Sequence, residues 1–138
     1  MSLIYLIGSL RNPEIPKIGD FFREAGFDVF DEWHSAGERA DDAFHEYAKG
    51  RGWSYDRALK SYAAQHIFDF DKRHLDRADM AILAMPAGKS GHLELGYIIG
   101  QGKRGYILMD KEPERIEQMH QFANGIYFSK EQLLKDLK

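Results

Sequence analysis

Cysteine is absent from the 138 residues, which excludes disulfide staples, thiolate catalysis and thiolate-bound zinc. No apolar run approaches the roughly 18 residues of a membrane span, and the apolar start at residues 3–7 has only strand length, too short for the core of an export signal. Without such a signal, the expected compartment is the cytoplasm and no membrane partner is expected. Basic runs are missing as well, and the formal charge is −3. A nucleic-acid polymer is therefore not an expected partner, because binding one rests on neutralising many phosphates. A single small phosphate ester is compatible with that charge. The six histidines, His34, His45, His66, His74, His92 and His120, form no paired spacing such as H-E-x-x-H, so no metal and no other cofactor is expected.

What is present is ordinary for a globular domain: 43% hydrophobic and 30% charged residues, in a length that favours one domain over residues 1–138. Strand and helix patterns alternate, which points to a parallel sheet with helices on both faces. Strands are expected at 3–7, 27–30, 80–84, 105–109 and 126–128. Ile15, Ile18, Phe21, Phe22 and Ala25 recur at helical spacing until Gly26. Further helices are expected at 66–77, 93–101, 113–122 and 130–137. Between the second strand and the 66–77 helix, residues 31–65 form a polar, aromatic, glycine-punctuated insertion with helical pieces at 40–49 and 55–64. It reads as a lid more than as a layer.

The third strand runs into Ala87-Gly88-Lys89-Ser90-Gly91-His92-Leu93-Glu94, a glycine-serine turn before a helix that carries an acid in its first turn. In an open α/β sheet ligands bind past the carboxyl ends of the strands, where helix N-termini point. With Ser90 or Gly91 as the N-cap, Glu94 shares a face with both, and the helix dipole would keep it ionised. Such a carboxylate suits a nucleophile; a glutamate that merely complements the dipole fits the same position. A capping box is excluded, because Leu93 stands where the box needs its acid. Asp71, two turns before the third strand, supplies a second acid, and displacement at an anomeric carbon uses one carboxylate to attack and one group to protonate what leaves. An exposed aspartate paired with Lys72 or Arg73 is the alternative. Gly8 and Ser9 follow the first strand and can present N–H and hydroxyl groups to a phosphate beside Arg11, or form only a tight turn. Gly88-Lys89-Ser90 resembles the end of a triphosphate-binding loop, but Leu83 occupies the place of its first glycine. Among the insertion's rings, Trp33 and His34 are the candidates to meet a nucleobase, while the others are expected to bury the insertion against the sheet.

Together, Tyr5-Leu6-Ile7-Gly8-Ser9-Leu10-Arg11, the 71–79 segment with Leu75 and Ala78, and Gly91-His92-Leu93-Glu94-Leu95-Gly96-Tyr97 followed by Gly102-Lys103 resemble the nucleoside 2-deoxyribosyltransferase superfamily, including its deoxynucleoside 5'-monophosphate N-glycosidase branch. The resemblance covers most of the chain outside the insertion. It implies a flavodoxin-like, Rossmann-like α/β fold with a doubly wound parallel sheet of five strands. It also implies cleavage of the N-glycosidic bond of a small-molecule nucleoside or its 5'-monophosphate, with the deoxyribosyl group passed to water or another base. Glu94 matches the family's nucleophile, Asp71 its acid and Tyr5 the tyrosine that positions the nucleophile. Ser9 and Arg11 match the 5'-phosphate contacts of the monophosphate branch, with Ser90 and Gly91 near another. The transferase branch usually carries an acid shortly before the Gly-x-x-Glu segment, where this chain has Gly88 or Lys89, and this shifts the implied substrate towards an anion. Family members complete each site from a neighbouring subunit, so a homodimer or higher homo-oligomer is implied, with Asn124 the candidate contributor. A non-catalytic nucleotide-binding sensor and an NAD glycohydrolase are the rival readings.

Overall fold

A computed structural model describes residues 2–138. Five parallel strands, β1 (Leu3–Ile7), β2 (Asp28–Phe30), β3 (Met80–Ala84), β4 (Arg104–Leu108) and β5 (Gly125–Tyr127), form one sheet in the order β2-β1-β3-β4-β5. This is the flavodoxin-like order, and its reversal of direction lies between β1 and β3. Both central strands are buried along their whole length, which accounts for their unbroken apolar runs: a parallel sheet with helices on both faces leaves no wet side.

Alternate residues feed two cores. Ile4, Leu6, Ile82 and Leu108 face α1 (Ile15–Glu24) and α6 (Lys130–Leu137), which bury Ile15, Phe22 and Leu133 there. Tyr5, Ile7, Leu83 and Ile107 face α4 (Tyr62–Arg77) and α5 (Lys89–Gly100), which contribute Leu75, Leu95 and Ile98. The helices that leave β1 and β3 therefore depart to opposite faces, and a crevice opens at the carboxyl ends of these two strands.

The insertion contains a 3-10 turn (Glu32–Ala36), α2 (Ala40–Gly50) and α3 (Tyr55–Leu59). The expected helical piece at 55–64 is broken in two by Ser61. Its hydroxyl donates to Ala58 O at 2.7 Å, closing α3, and accepts from Ala64 N at 3.2 Å, capping α4. Three of the insertion's six Trp, Tyr and Phe rings stay at the surface rather than pressing on the sheet: Tyr47, Tyr55 and Tyr62 are 53%, 83% and 90% exposed. Tyr47 and Trp53 meet edge to face, and the Arg51 guanidinium lies against both rings.

A second departure from expectation lies between β4 and β5. The apolar spacing predicts a helix over 113–122, yet only a 3-10 turn (Gln118–Phe122) forms. Ile116, the residue that would anchor such a helix, is 91% exposed, so no apolar stripe docks and helix formation lacks the packing it depends on. Among the described residues, no helix is long and apolar enough to cross a membrane.

Candidate active site

β1 places Tyr5 on the face covered by α4 and α5, with only 2% of its surface exposed. Its hydroxyl donates to Glu94 Oε2 at 3.0 Å. Glu94 reaches this position because α5 sits directly on the ends of β1 and β3. A Cβ on Gly91 would stand 3.1 Å from both Ile7 Cγ2 and Leu83 Cδ1, so glycine is what lets the first turn of α5 descend so far.

α5 begins earlier than expected, at Lys89 with Gly88 as its N-cap. Ser90 and Gly91 thus lie inside the first turn, and Glu94 is the sixth helical residue. The dipole of a helix end fades within one turn, so it does not keep Glu94 ionised as the sequence suggested. Burial and the neighbouring Asp71 charge push its carboxyl up to about 7, against a smaller downward pull from the Tyr5 hydrogen bond. Burial, followed by the Glu94 and Asp71 charges, pushes the Tyr5 phenol far above its ordinary range, so it acts as a fixed donor.

Asp71 projects from α4 beside an aromatic wall. His74 stacks on Phe30 at 3.9 Å, and Phe30 meets the Tyr5 ring edge-on at 5.2 Å. Half-buried there, the Asp71 carboxyl is raised by burial first and by the charge of Asp41 second. The two acids form a pair of like charges in a partly dry crevice, an arrangement that favours keeping a proton.

The helices carrying this pair are tied together about one turn further along. Asp76 on α4 accepts from Tyr97 Oη of α5, from Gln101 Nε2 just past the end of α5, and from Lys72 Nζ at 3.0 Å. Hydrogen bonds from Tyr97, Lys72 and Gln101 hold its carboxyl down at about 2. Lys103 Nζ donates to the carbonyls of Leu75 and Asp76 at 3.2 and 2.7 Å, closing the end of α4. Asp79 accepts from Leu3 N at 2.7 Å. Asp76 and Asp79 thus frame the site structurally.

The turn after β1 forms the other end of the crevice. Ser9 Oγ accepts from Arg11 N at 3.1 Å, and a Cβ on Gly8 would strike Ile15 Cδ1 at 2.6 Å. The Arg11 side chain leaves this turn to meet Asp42 of α2, with Nη2 at 2.7 Å from Oδ2. At α5, the N–H groups of Lys89, Ser90 and Gly91 precede the first intrahelical bond, from His92 N to Gly88 O, and so are free to receive an anion. His92 Nδ1 also donates to Gly88 O at 2.8 Å, while its Nε2 meets Nε2 of His120 at 3.0 Å.

Trp33 and His34 stand near the same turn, each with one ring nitrogen engaged. Trp33 Nε1 donates to Leu6 O at 2.8 Å, and His34 Nε2 lies 2.9 Å from Asn12 O. The 3-10 turn that carries them is fixed by the nearly buried Asp31, which accepts from Arg23 Nη2 at 2.6 Å. Asn124 lies just before β5, and its Oδ1 accepts from Gly105 N at 2.9 Å within the same chain. Sequence reasoning missed Asp41 and Asp42, whose link to the site spans the insertion and leaves no local motif.

No family model matches the sequence, and no curated protein sequence matches it. Among solved structures, it is similar to the 2-deoxyribosyltransferase of Bacillus psychrosaccharolyticus, with a TM-score of 0.66 and 18% identity over 96% of this chain and 90% of that one. It is also similar to the CMP N-glycosidase BcmB of Clostridium botulinum, with a TM-score of 0.59 and 16% identity over 99% of this chain and 98% of that one. The chain has their fold. Both likenesses run nearly end to end, so the shared architecture includes β1, β3, α4 and α5, the elements that assemble Tyr5, Glu94 and Asp71.

Proposed function

We propose that this protein is an enzyme of the nucleoside 2-deoxyribosyltransferase superfamily that cleaves the N-glycosidic bond of a (deoxy)nucleoside or its 5'-monophosphate. The observation that carries the reading is the Tyr5–Glu94–Asp71 group: a buried phenol donating to one carboxylate, with a second carboxylate close enough to raise it. Two solved structures of the same fold bear the names of a CMP N-glycosidase and a 2-deoxyribosyltransferase, both concerned with the bond between a sugar and a base.

In this mechanism Glu94, ionised, attacks C1' of the sugar. The bond between C1' and the base nitrogen breaks as the Glu94–C1' ester forms, and Asp71 delivers its proton to the departing base. Water or a second base then takes the deoxyribosyl group from Glu94 and restores the carboxylate, with Asp71 recovering the proton. Tyr5 holds Glu94 in line. Gly8, Ser9 and Arg11, together with the α5 N–H groups around Ser90 and Gly91, receive a 5'-phosphate, and Trp33 and His34 border the base. Asn124 reaches a neighbouring subunit's site in the homo-oligomer we propose.

The test is release of free base from purified protein, measured across nucleosides and deoxynucleosides, their 5'-monophosphates and NAD, with Glu94→Ala beside the parent. Release from nucleosides or monophosphates, lost by a factor of about 1,000 or more in the variant, supports the reading. Release from NAD alone would make it an NAD glycohydrolase. Ligand binding without release from any substrate would make it a sensor.

A further inference from the structure

One cation of the proposed site is already paired within the chain. Arg11, the charged side chain of the turn after β1, is paired with Asp42 at 2.7 Å, and among the described residues this is the only side-chain hydrogen bond linking α2 to the sheet and its flanking turns. Asp41 and Asp42 both lie in the first turn of α2, where acids complement the helix dipole. As consecutive helical residues they point about 100° apart, so they meet different parts of the crevice: Asp42 engages Arg11, while the charge of Asp41 falls on Asp71. One helix end thus bears on both the anion-binding end of the site and its acid.

We propose that Asp42 is a specificity-determining residue that competes with a ligand's 5'-phosphate for Arg11. The inference rests on the assignment of Arg11 to the phosphate made above. Asp42 lowers the advantage of phosphorylated over unphosphorylated ligands without touching the sugar or the reacting carbon. Both partners are substantially exposed, at 58% and 46% of their side-chain surface, so water screens the pair and holds it weakly. A phosphate dianion presents more charge and two oxygens to the guanidinium fork, and displaces a single carboxylate oxygen. Phosphate binding then costs the release of α2 from its tether, whereas an unphosphorylated nucleoside leaves that tether in place.

The test compares the parent with Asp42→Asn, Arg11→Ala and the double variant. Affinities for ribose 5-phosphate and for ribose are measured by calorimetry, so the result is independent of turnover. Asp42→Asn is expected to bind ribose 5-phosphate about two- to fivefold more tightly, a gain of the size an exposed ion pair allows, with ribose unchanged. The gain should vanish in the Arg11→Ala background. Where base release is measurable, kcat/KM for the monophosphate should rise by the same factor through KM, while the nucleoside changes less than about twofold. Unchanged or weaker ribose 5-phosphate binding in Asp42→Asn would overturn the proposal. Parent-like ribose 5-phosphate binding by Arg11→Ala would instead overturn the phosphate assignment beneath it, and absent base release with intact binding would overturn only the catalytic reading.

Discussion

Glu94 combines two properties that pull against each other: it is positioned to attack, and its surroundings disfavour the charge that attack requires. The carboxyl titrates near 7, against an ordinary 4.5. The folded protein therefore binds a proton that the unfolded chain has already released between those values, and stability contributed by the protonated form is lost as pH rises through that window. Glu94→Gln keeps an acceptor for Tyr5 without the charge, so it should be more stable than the parent by about 1–3 kcal/mol at pH 8 and no more stable at pH 4.5. Urea unfolding at the two pH values checks this; equal stability at pH 8 would mean the site tolerates the charge. Activity should follow the same titration. Glu94 attacks as the carboxylate, so kcat/KM should rise as pH climbs through about 7. A profile flat between about pH 5.5 and 8.5 would remove Glu94 as the group that must ionise.

Between residues and the whole molecule, the decisive element contact is α4 against α5. The separation of the two carboxyls depends on the Asp76, Tyr97, Gln101 and Lys103 bonds that fix one helix to the other. Tyr97→Phe removes a donor at that junction without touching the site, and should lower kcat by about three- to tenfold with little change in KM, since small misalignments of reacting groups are costly. Steady-state kinetics separate the two constants. Much of this arrangement was legible in the chain. The runs at β1 and β3 are buried on both faces and so advertise themselves as apolar, and Glu94 follows a local glycine-serine turn. The start of α5 was not legible, because Gly88 caps it without a side chain while Ser90, the residue with a capping hydroxyl, lies inside the helix. Nor was the missing 113–122 helix, since correct apolar spacing does not supply a surface to dock on. The Arg11–Asp42 pair joins residues 31 apart in sequence, and no local pattern announces a contact of that kind.

At the scale of the molecule, apolar side chains stand exposed on two flanks: Tyr62, Phe68 and Leu93 of α4 and α5 at 90%, 63% and 75%, and Ile116, Met119 and Phe122 of the β4–β5 connection at 91%, 62% and 70%. We propose that a second copy of the chain covers the β4–β5 flank, and sedimentation should show a homo-oligomer that Ile116→Glu with Phe122→Glu converts to monomer. A parent that sediments as a monomer at micromolar concentration would remove the subunit role proposed for Asn124. The close seating of Gly91 on Ile7 and Leu83 has its own consequence for how such a protein can change. The first turn of α5 is at once the ceiling of the core and the wall of the crevice, so a substitution there that retunes the ligand also disturbs folding. Gly50 in α2, by contrast, has open space around it and an ordinary backbone conformation. Under laboratory selection for a new substrate, accepted changes should accumulate in the insertion while the turn on the strand ends stays as it is.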